Sequence, residues 1–444
     1  MKRLLPLAAA TALVGCNQQQ SIPDGSQFGA NPLLPAPVME LVPDVHIPPV
    51  VGWKKGETPV VPSGFTIEAV ASDLANPRRV MPLPNGDILV VDANKTKAEP
   101  VERPKDIIMG MLFAQAHGNS DGPKRPSNQI ILLRDTNGDG KADSETVLID
   151  KLNAPFGIGY SNGQLYIAET GALLAYPFAP GQTTVGKPRK IIDLPEGPIN
   201  HHWTKDLAVS PDGSKIYVGV GSNSNIVERG IEAETNRAAI WEVDPKTGAF
   251  RIFASGLRNP NGLTFYPGTN TLYAVINERD ELGPNLVPDY LTSVKDGAFY
   301  GWPYSYYGKH LDPRVMPQRP DLVARAIPPD YALSSHVAPL GLTFYTGSSF
   351  PAAFRGGALI GEHGSWDRNG LHGYKIAFIP FRGGKPAGNP LTLVAGFVKG
   401  GKARGRPVGV AVDRDGALLI ADDVGNTVWR LRYSASGSAS PKPA

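Results

Sequence analysis

Cysteine is almost missing from this chain of 444 residues. Cys16 is the only one, so no internal disulfide, thiolate metal site or cysteine nucleophile within the folded part can be built. The chain contains no Gly-rich phosphate loop of Walker or Rossmann spacing, no Gly-x-Ser-x-Gly elbow and no His-Glu-x-x-His. Nucleotide-dependent chemistry and serine hydrolysis are disfavoured accordingly. An excess of one charge is lacking too. Lys and Arg number 44 against 41 Asp and Glu, a formal balance of +3, and Lys2 and Arg3 account for part of it. With no basic tract, the sequence predicts no nucleic-acid partner. Long helical patterns are absent as well, because Gly and Pro interrupt every long stretch that might carry an i, i+3, i+4 stripe.

Turn formers are abundant instead. There are 50 glycines and 43 prolines, well above the average of about 12% for the two together, yet hydrophobic residues still make up 41%. That combination predicts many turns around a real core. The first residues read as a secretory leader, with a basic start and an apolar run from Leu4 to Val14 that is too short to cross a bilayer. Leu13-Val14-Gly15-Cys16 resembles a bacterial lipobox, in which Cys16 becomes the lipidated first residue. An ordinary leader with an incidental cysteine is the alternative. Asn17 rather than Asp favours the outer membrane in a Gram-negative host, hence a periplasmic, lipid-anchored protein that meets the membrane only through its anchor. The expected organisation is a leader over 1–15, a tether and extended lead-in over 16–61, a folded body over 62–433 and a disordered tail over 434–444.

Within the body one pattern returns six times: a polar or Pro-containing lead-in, a short apolar strand, a tight turn and a second alternating strand. The second strands contain Ile88, Leu165, Ile216, Leu272, Leu359 and Leu418, and the turns include Asn85-Gly86, Asn162-Gly163, Asp212-Gly213 and Asp415-Gly416. Sixfold recurrence at blade-like intervals predicts an all-β, six-bladed β-propeller; a pair of β-sandwiches would not explain it. In a propeller the residues just before the inner strands ring one mouth of the channel. That ring holds Asn76-Pro77-Arg78, Asn153-Ala154-Pro155, His201-His202-Trp203, Arg258-Asn259-Pro260, His336 to Pro339 and Arg404-Gly405-Arg406-Pro407.

His202, facing a channel, suits a general base, although a loop histidine bonded to backbone would look the same. Arg258 and Asn259 place a fixed cation and an amide before an acidic, carbonyl-rich loop, but Asn-Pro-Asn-Gly is also ordinary turn chemistry. Arg404 and Arg406 share one face of an extended segment and suit carboxylates, with solvated surface arginines as the alternative. Gly283, Pro284 and Asp289 could offer oxygens to a hard cation such as Ca2+. Asp135, Asn137, Asp139 and Asp143 begin like an EF-hand loop but have Thr146 where the bidentate Glu belongs; a structural calcium loop and a plain hairpin turn both remain open.

Gly256-Leu257-Arg258-Asn259-Pro260, the segment from Asn277 to Asp289, Gly301-Trp302-Pro303 and Gly361-Glu362-His363-Gly364-Ser365-Trp366 together resemble the soluble quinoprotein glucose and sorbosone dehydrogenase family. The last of these looks more like the sorbosone branch. The resemblance implies a propeller that binds pyrroloquinoline quinone (PQQ) and Ca2+. It implies His202 as the base, Arg258 and Asn259 at the quinone edge, and Arg404 and Arg406 on the cofactor carboxylates. Gly283, Pro284 and Asp289 would be ligands of the calcium. Asn153 or Ala154, and His336, stand at cofactor-binding positions where the glucose branch has Gln and Thr, and the loop after Ile360 has His363 and Arg368 but no lysine; these departures put glucose itself in doubt as the substrate. The expectation is oxidation of an aldose or a sugar-derived aldehyde to a lactone or acid, with electrons passed to an external quinone or cytochrome because no Cys-x-x-Cys-His haem motif is present. A calcium-dependent lactonase and a non-catalytic, ligand- or protein-binding propeller are the rival readings.

Overall fold

The computed structural model describes residues 22–434 apart from 24, 39–44, 96–99, 102–106, 108–109, 112–124 and 369. The leader with Cys16 and residues 435–444 of the tail lie outside the described residues. Six antiparallel sheets follow one another along the chain, each running from an inner to an outer strand. Their inner strands are Pro77–Pro82, Gly157–Ser161, Leu207–Val209, Pro260–Phe265, Pro339–Phe344 and Pro407–Val412. These six touch in cyclic order, the last against the first, so the ring is closed. This is the six-bladed propeller that the repeats predict.

Local chemistry accounts for the blades. Asn162 and Gly163 both take positive φ (51° and 71°), the mirror-image turn that suits the right-handed twist of the hairpin they join. Second strands such as Ile88–Asp92, Leu272–Ile276 and Leu418–Asp422 are buried at every position because they lie between two neighbouring blades. Outer strands such as Ser144–Ile149 start by alternating between half-buried and exposed positions. A separate apolar cluster fills each of the six seams between blades, for example Leu89, Leu132, Leu165 and Tyr176 between the first and second. Around the axis the backbones meet directly. A Cβ on Gly157 would lie 2.6 Å from Lys205 O, and one on Gly409 2.7 Å from Arg78 O.

The lead-in is more than a tether. Phe28–Gly29 adds a fifth strand to blade four by pairing with Tyr331–Ser335. Val38 N then bonds Leu282 O, His46 N bonds Trp366 O, Val50 bridges Ala403, and Trp53 Nε1 reaches Asp422 Oδ2 at 2.7 Å. The segment crosses from blade four to blade six as a strap before Phe65–Ala71 becomes the outer strand of blade six, paired with Thr427–Tyr433. Among the described residues no helix is long and apolar enough to cross a membrane.

Candidate active site

The lead-ins to the inner strands of blades three, four and five meet at a cavity of ≈ 420 Å³, a size ordinary for small-molecule sites. His201, His202, Asn223, Asn225, Arg258, Asn259, Glu278, Asp280, Asp289 and His336 line it. Strand pairing explains why more than the lead-ins arrive there. The end of each second strand lies opposite the start of its inner strand, as in Pro77 with Asp92, Pro260 with Ile276 and Pro407 with Asp422. The residues that leave second strands therefore share the same mouth.

His202 is half-buried, and its Nδ1 lies 2.9 Å from Ser222 O. Burial, the Arg258 guanidinium and His201 hold its imidazole well below the usual histidine range, only partly offset by the bond to Ser222. It is neutral at pH 7, the form a proton acceptor needs. Arg258 is 2% exposed. Nε bonds Asn225 O (3.3 Å), Nη1 bonds Asn277 O (3.3 Å) and Glu278 O (2.7 Å), and Nη2 bonds Asn225 Oδ1 (2.8 Å) and Asp280 Oδ2 (3.1 Å). A guanidinium has five N–H donors, and all five are engaged. Arg258 therefore presents charge to the cavity, not spare donors.

His336 Nδ1 is 3.4 Å from Asp280 Oδ1, and Nε2 is 3.2 Å from Gly283 O. Burial opposes its charge, but Asp280, Asp367 and Asp289 prevail and raise its pKa to about 9. Burial likewise works against Asp280, yet Arg258 and His336 hold its carboxyl at about 2. Asp289 and Glu278 are pushed up to about 7 by burial. Asp280, His336 and Asp367 are the only three acidic or histidine side chains, among the described residues, whose ligand atoms gather within 4.8 Å.

The remaining residues singled out in the sequence are held by protein partners, and of these only Asp289 lines the cavity. Both Asp289 oxygens accept backbone N–H groups, from Glu278 and Ala338 at 2.8 Å each. Gly283 sits behind the cavity wall at φ 99°, its carbonyl taking the His336 bond, and Pro284 follows it; neither lines the cavity. Arg404 pairs with Glu57 of the strap at 3.1 Å. Arg406 donates to His363 O and Gly364 O and lies over the Tyr374 ring. These arginines do not line the cavity because protein acceptors on blade five and the strap hold them. Asn153 is outside it as well, its Nδ2 bonded to Glu196 Oε1 at 3.2 Å. In the loop from Asp135 to Asp143, Asp135 accepts from Gly138 N and Gly140 N, Asn137 from Asp139 N, Asp139 from Lys141 N, and Asp143 from Thr136. The loop closes on itself at the end of a blade-one strand.

Sequence reasoning passed over residues 221–225 and Asp367, and held Asp280 only as part of the acidic segment from Asn277 to Asp289. It read the mouth only from the starts of inner strands. The ends of second strands, just after which Asn94, Thr170, Ser222, Glu278, His363 and Asp423 stand, would have pointed to Ser222 but not to Asp280 or Asp367.

A closed six-bladed propeller with a charged cavity at one mouth of its axis defines a class in which blades are scaffold and mouth residues do the chemistry. Residues 182–427 match the family model described as Glucose / Sorbosone dehydrogenase, and the chain belongs to that family of oxidoreductases. It is 31% identical over 296 residues to an uncharacterized protein of Borreliella burgdorferi, covering 64% of this chain and 76% of that one. Lactonohydrolase oryL of Aspergillus oryzae is 26% identical over 35% of this chain, and the pyrroloquinoline quinone-dependent pyranose dehydrogenase of Coprinopsis cinerea is 24% identical over 54%. The match spans 38% of each of these two fungal proteins. The holo form of the pyranose dehydrogenase PQQ domain from Coprinopsis cinerea superposes with a TM-score of 0.67 at 19% identity, covering 87% of this chain and 100% of that domain.

Proposed function

We propose that this protein is a PQQ- and Ca2+-dependent dehydrogenase that oxidises an aldose or a sugar-derived aldehyde, sorbosone-like, to a lactone or acid. The observation that carries the reading is a neutral His202 beside the fixed charge of Arg258 in a cavity at the mouth of a propeller of this family. A bound PQQ would supply a quinone able to accept two electrons as hydride, for delivery to an external acceptor. The donor set fits such a group. Arg258 and His336 bring positive charge, and Asn223 Oδ1 and Asn259 Oδ1 are buried without a partner. Arg258, Asn259 and His336 would hold the cofactor on this side. The oxygens of Gly283, Pro284 and Asp289 would serve Ca2+, whose charge would favour the ionised form of a carboxyl that burial otherwise keeps partly protonated.

On the substrate side, His202 takes the proton of the hydroxyl being oxidised. An aldehyde would react as its hydrate. The anomeric hydroxyl of an aldose and the hydroxyls of a hydrate are acidic for alcohols, which suits a histidine whose surroundings make it a weak base. We further propose that Cys16 is lipidated and that the enzyme acts in the periplasm, anchored to the outer membrane. A match to a lactonohydrolase keeps lactone hydrolysis as a second reading, and it separates cleanly from the first. Purified protein is loaded with PQQ and CaCl2 and assayed for dye reduction with a panel of aldoses and aldehydes, and for hydrolysis with the matching lactones. The dehydrogenase reading requires dye reduction that depends on both additions. In His202→Ala it should fall by about 10²–10⁴ with PQQ still bound. Lactone hydrolysis without dye reduction would overturn it.

A further inference from the structure

Residues 221–225, Gly-Ser-Asn-Ser-Asn, leave the second strand of blade three, Ile216–Val220, and pack against the cavity groups. A Cβ on Gly221 would lie 2.5 Å from His202 Cβ and 2.6 Å from Asn259 Oδ1, so glycine is what lets those two side chains approach. Ser222 faces His202 Nδ1 with two atoms, its carbonyl oxygen at 2.9 Å and its hydroxyl oxygen at 3.0 Å. Elimination settles who donates. A carbonyl only accepts. The Ser222 hydroxyl gives its single hydrogen to Ser224 O at 2.6 Å, so towards His202 it too can only accept. Two acceptors around one ring nitrogen place the hydrogen on Nδ1 and leave the lone pair on Nε2. Nε2 has no hydrogen-bond partner among the described residues, and His202 lines the cavity.

We propose that Ser222 is the positioning residue of the His202 base: its two acceptor oxygens hold the imidazole in the Nδ1–H tautomer, so that an unprotonated Nε2 meets the substrate hydroxyl. The inference deepens the dehydrogenase reading and rests on it. In the step it serves, the hydroxyl O–H bond breaks and its proton forms the Nε2–H bond, the electron pair left on oxygen closes the C=O bond, and the C–H hydrogen would leave with both its electrons as hydride to a bound quinone. Ser222 differs from a carboxylate in the same place because it orients the ring without supplying a counter-ion. The charged and titratable groups around the ring, Arg258, His201 and Lys205, all disfavour its protonation. Lys205 Nζ also bonds His202 O and Trp203 O at 3.3 Å each, tying down the backbone on which the base stands.

Nitrogen-15 NMR of histidine-labelled protein tests the tautomer directly, with the His202 signals assigned by their loss in His202→Ala. The expected result at pH 7.5 is a protonated Nδ1 and a bare Nε2. Ser222→Ala keeps the carbonyl and removes the hydroxyl; it should lower kcat of the PQQ-loaded enzyme about tenfold with KM within about twofold. Ser222→Asp supplies a counter-ion and raises the imidazole pKa, so the acid limb of the kcat profile should move up by about one pH unit or more. A serine whose side chain did not face the ring would lower kcat through the fold alone, and its replacement by Asp would leave that limb where it is. Hydrogen found on Nε2 in the wild type, or an unmoved limb in a Ser222→Asp protein with a normal melting transition, overturns the proposal. If Ser222→Asp does not fold, the NMR spectra of the wild type and Ser222→Ala decide. If no sugar is oxidised, the dehydrogenase reading fails, and the tautomer is still read without turnover.

Discussion

Two trios of the same composition sit at the mouth, each with a histidine of blade five. On the cavity side, Asp280 is shared by Arg258 and His336 (3.1 and 3.4 Å); away from it, Asp423 is shared by Arg78 and His363 (2.6 and 2.8 Å). Their histidines nevertheless end in opposite charge states. His336 is raised to about 9, whereas His363 is lowered to about 4. Burial disfavours the proton on both, so the difference lies in the neighbours. His336 also faces Asp367 and Asp289, while His363 faces two guanidiniums, Arg406 and Arg78. An Arg-His-Asp grouping therefore has no charge of its own, and the surplus around it decides.

Removing the shared carboxylates should give the largest effect. Asp280→Asn and Asp423→Asn each leave a buried arginine without its anion, a loss of about 3–5 kcal/mol in denaturant melts. Asp423→Asn should cost more, because Asp367 and Asp289 remain near His336, whereas Asp423 is the one ion-pair partner of Arg78 among the described residues. The reverse order would break the comparison.

Acidity should separate the two histidines next. In the metal-free protein His336 binds its proton more tightly in the fold than its unfolded value of 6.5, so its contribution is complete below about pH 6.5 and is lost as pH rises through about 9. His363 resists protonation, so its cost grows as pH falls from about 6.5 through about 4. Thermal melts across pH should show His336→Gln flattening the alkaline side and His363→Gln the acid side. Crossed results would mean that the two charge states are misassigned. The smallest change is expected at Arg404, whose pair with Glu57 is partly solvated. Arg404→Ala should cost no more than about 1 kcal/mol, and a larger loss would show that the strap depends on this pair.

These contrasts also mark where the sequence is legible. Six apolar strand pairs with Asn-Gly and Asp-Gly turns are local patterns, and local patterns determine the blades. The start of each inner strand is local too, so His202, Arg258, Asn259 and His336 could be placed on one mouth. Asp289 reaches the cavity through the loop that follows, whereas Gly283 and Pro284 of that loop do not line it. Long side chains escape such reading. Arg404 and Arg406 occupy ring positions, but Glu57 and the carbonyls of His363 and Gly364 draw them aside, and those acceptors are remote in sequence or belong to the backbone. Ser222 is hidden for the same reason: a Gly-Ser-Asn run looks like any polar loop until strand pairing puts its carbonyl beside an imidazole.

The outer strand of blade six has a consequence for how the molecule comes into being. Phe65–Ala71 pairs with Thr427–Tyr433, strands from nearly opposite ends of the chain. As the chain emerges from its N-terminal side, the first of these is exposed long before its partner arrives, and it stays unpaired until Thr427–Tyr433 follows. The strap ahead of it, which touches Leu282, Trp366 and Ala403, has to wait in the same way. Ring closure is thus a late, long-range event. Until then the seam between blades six and one, with Val70, Val80, Val90 and Leu419, remains open to water and to chaperones.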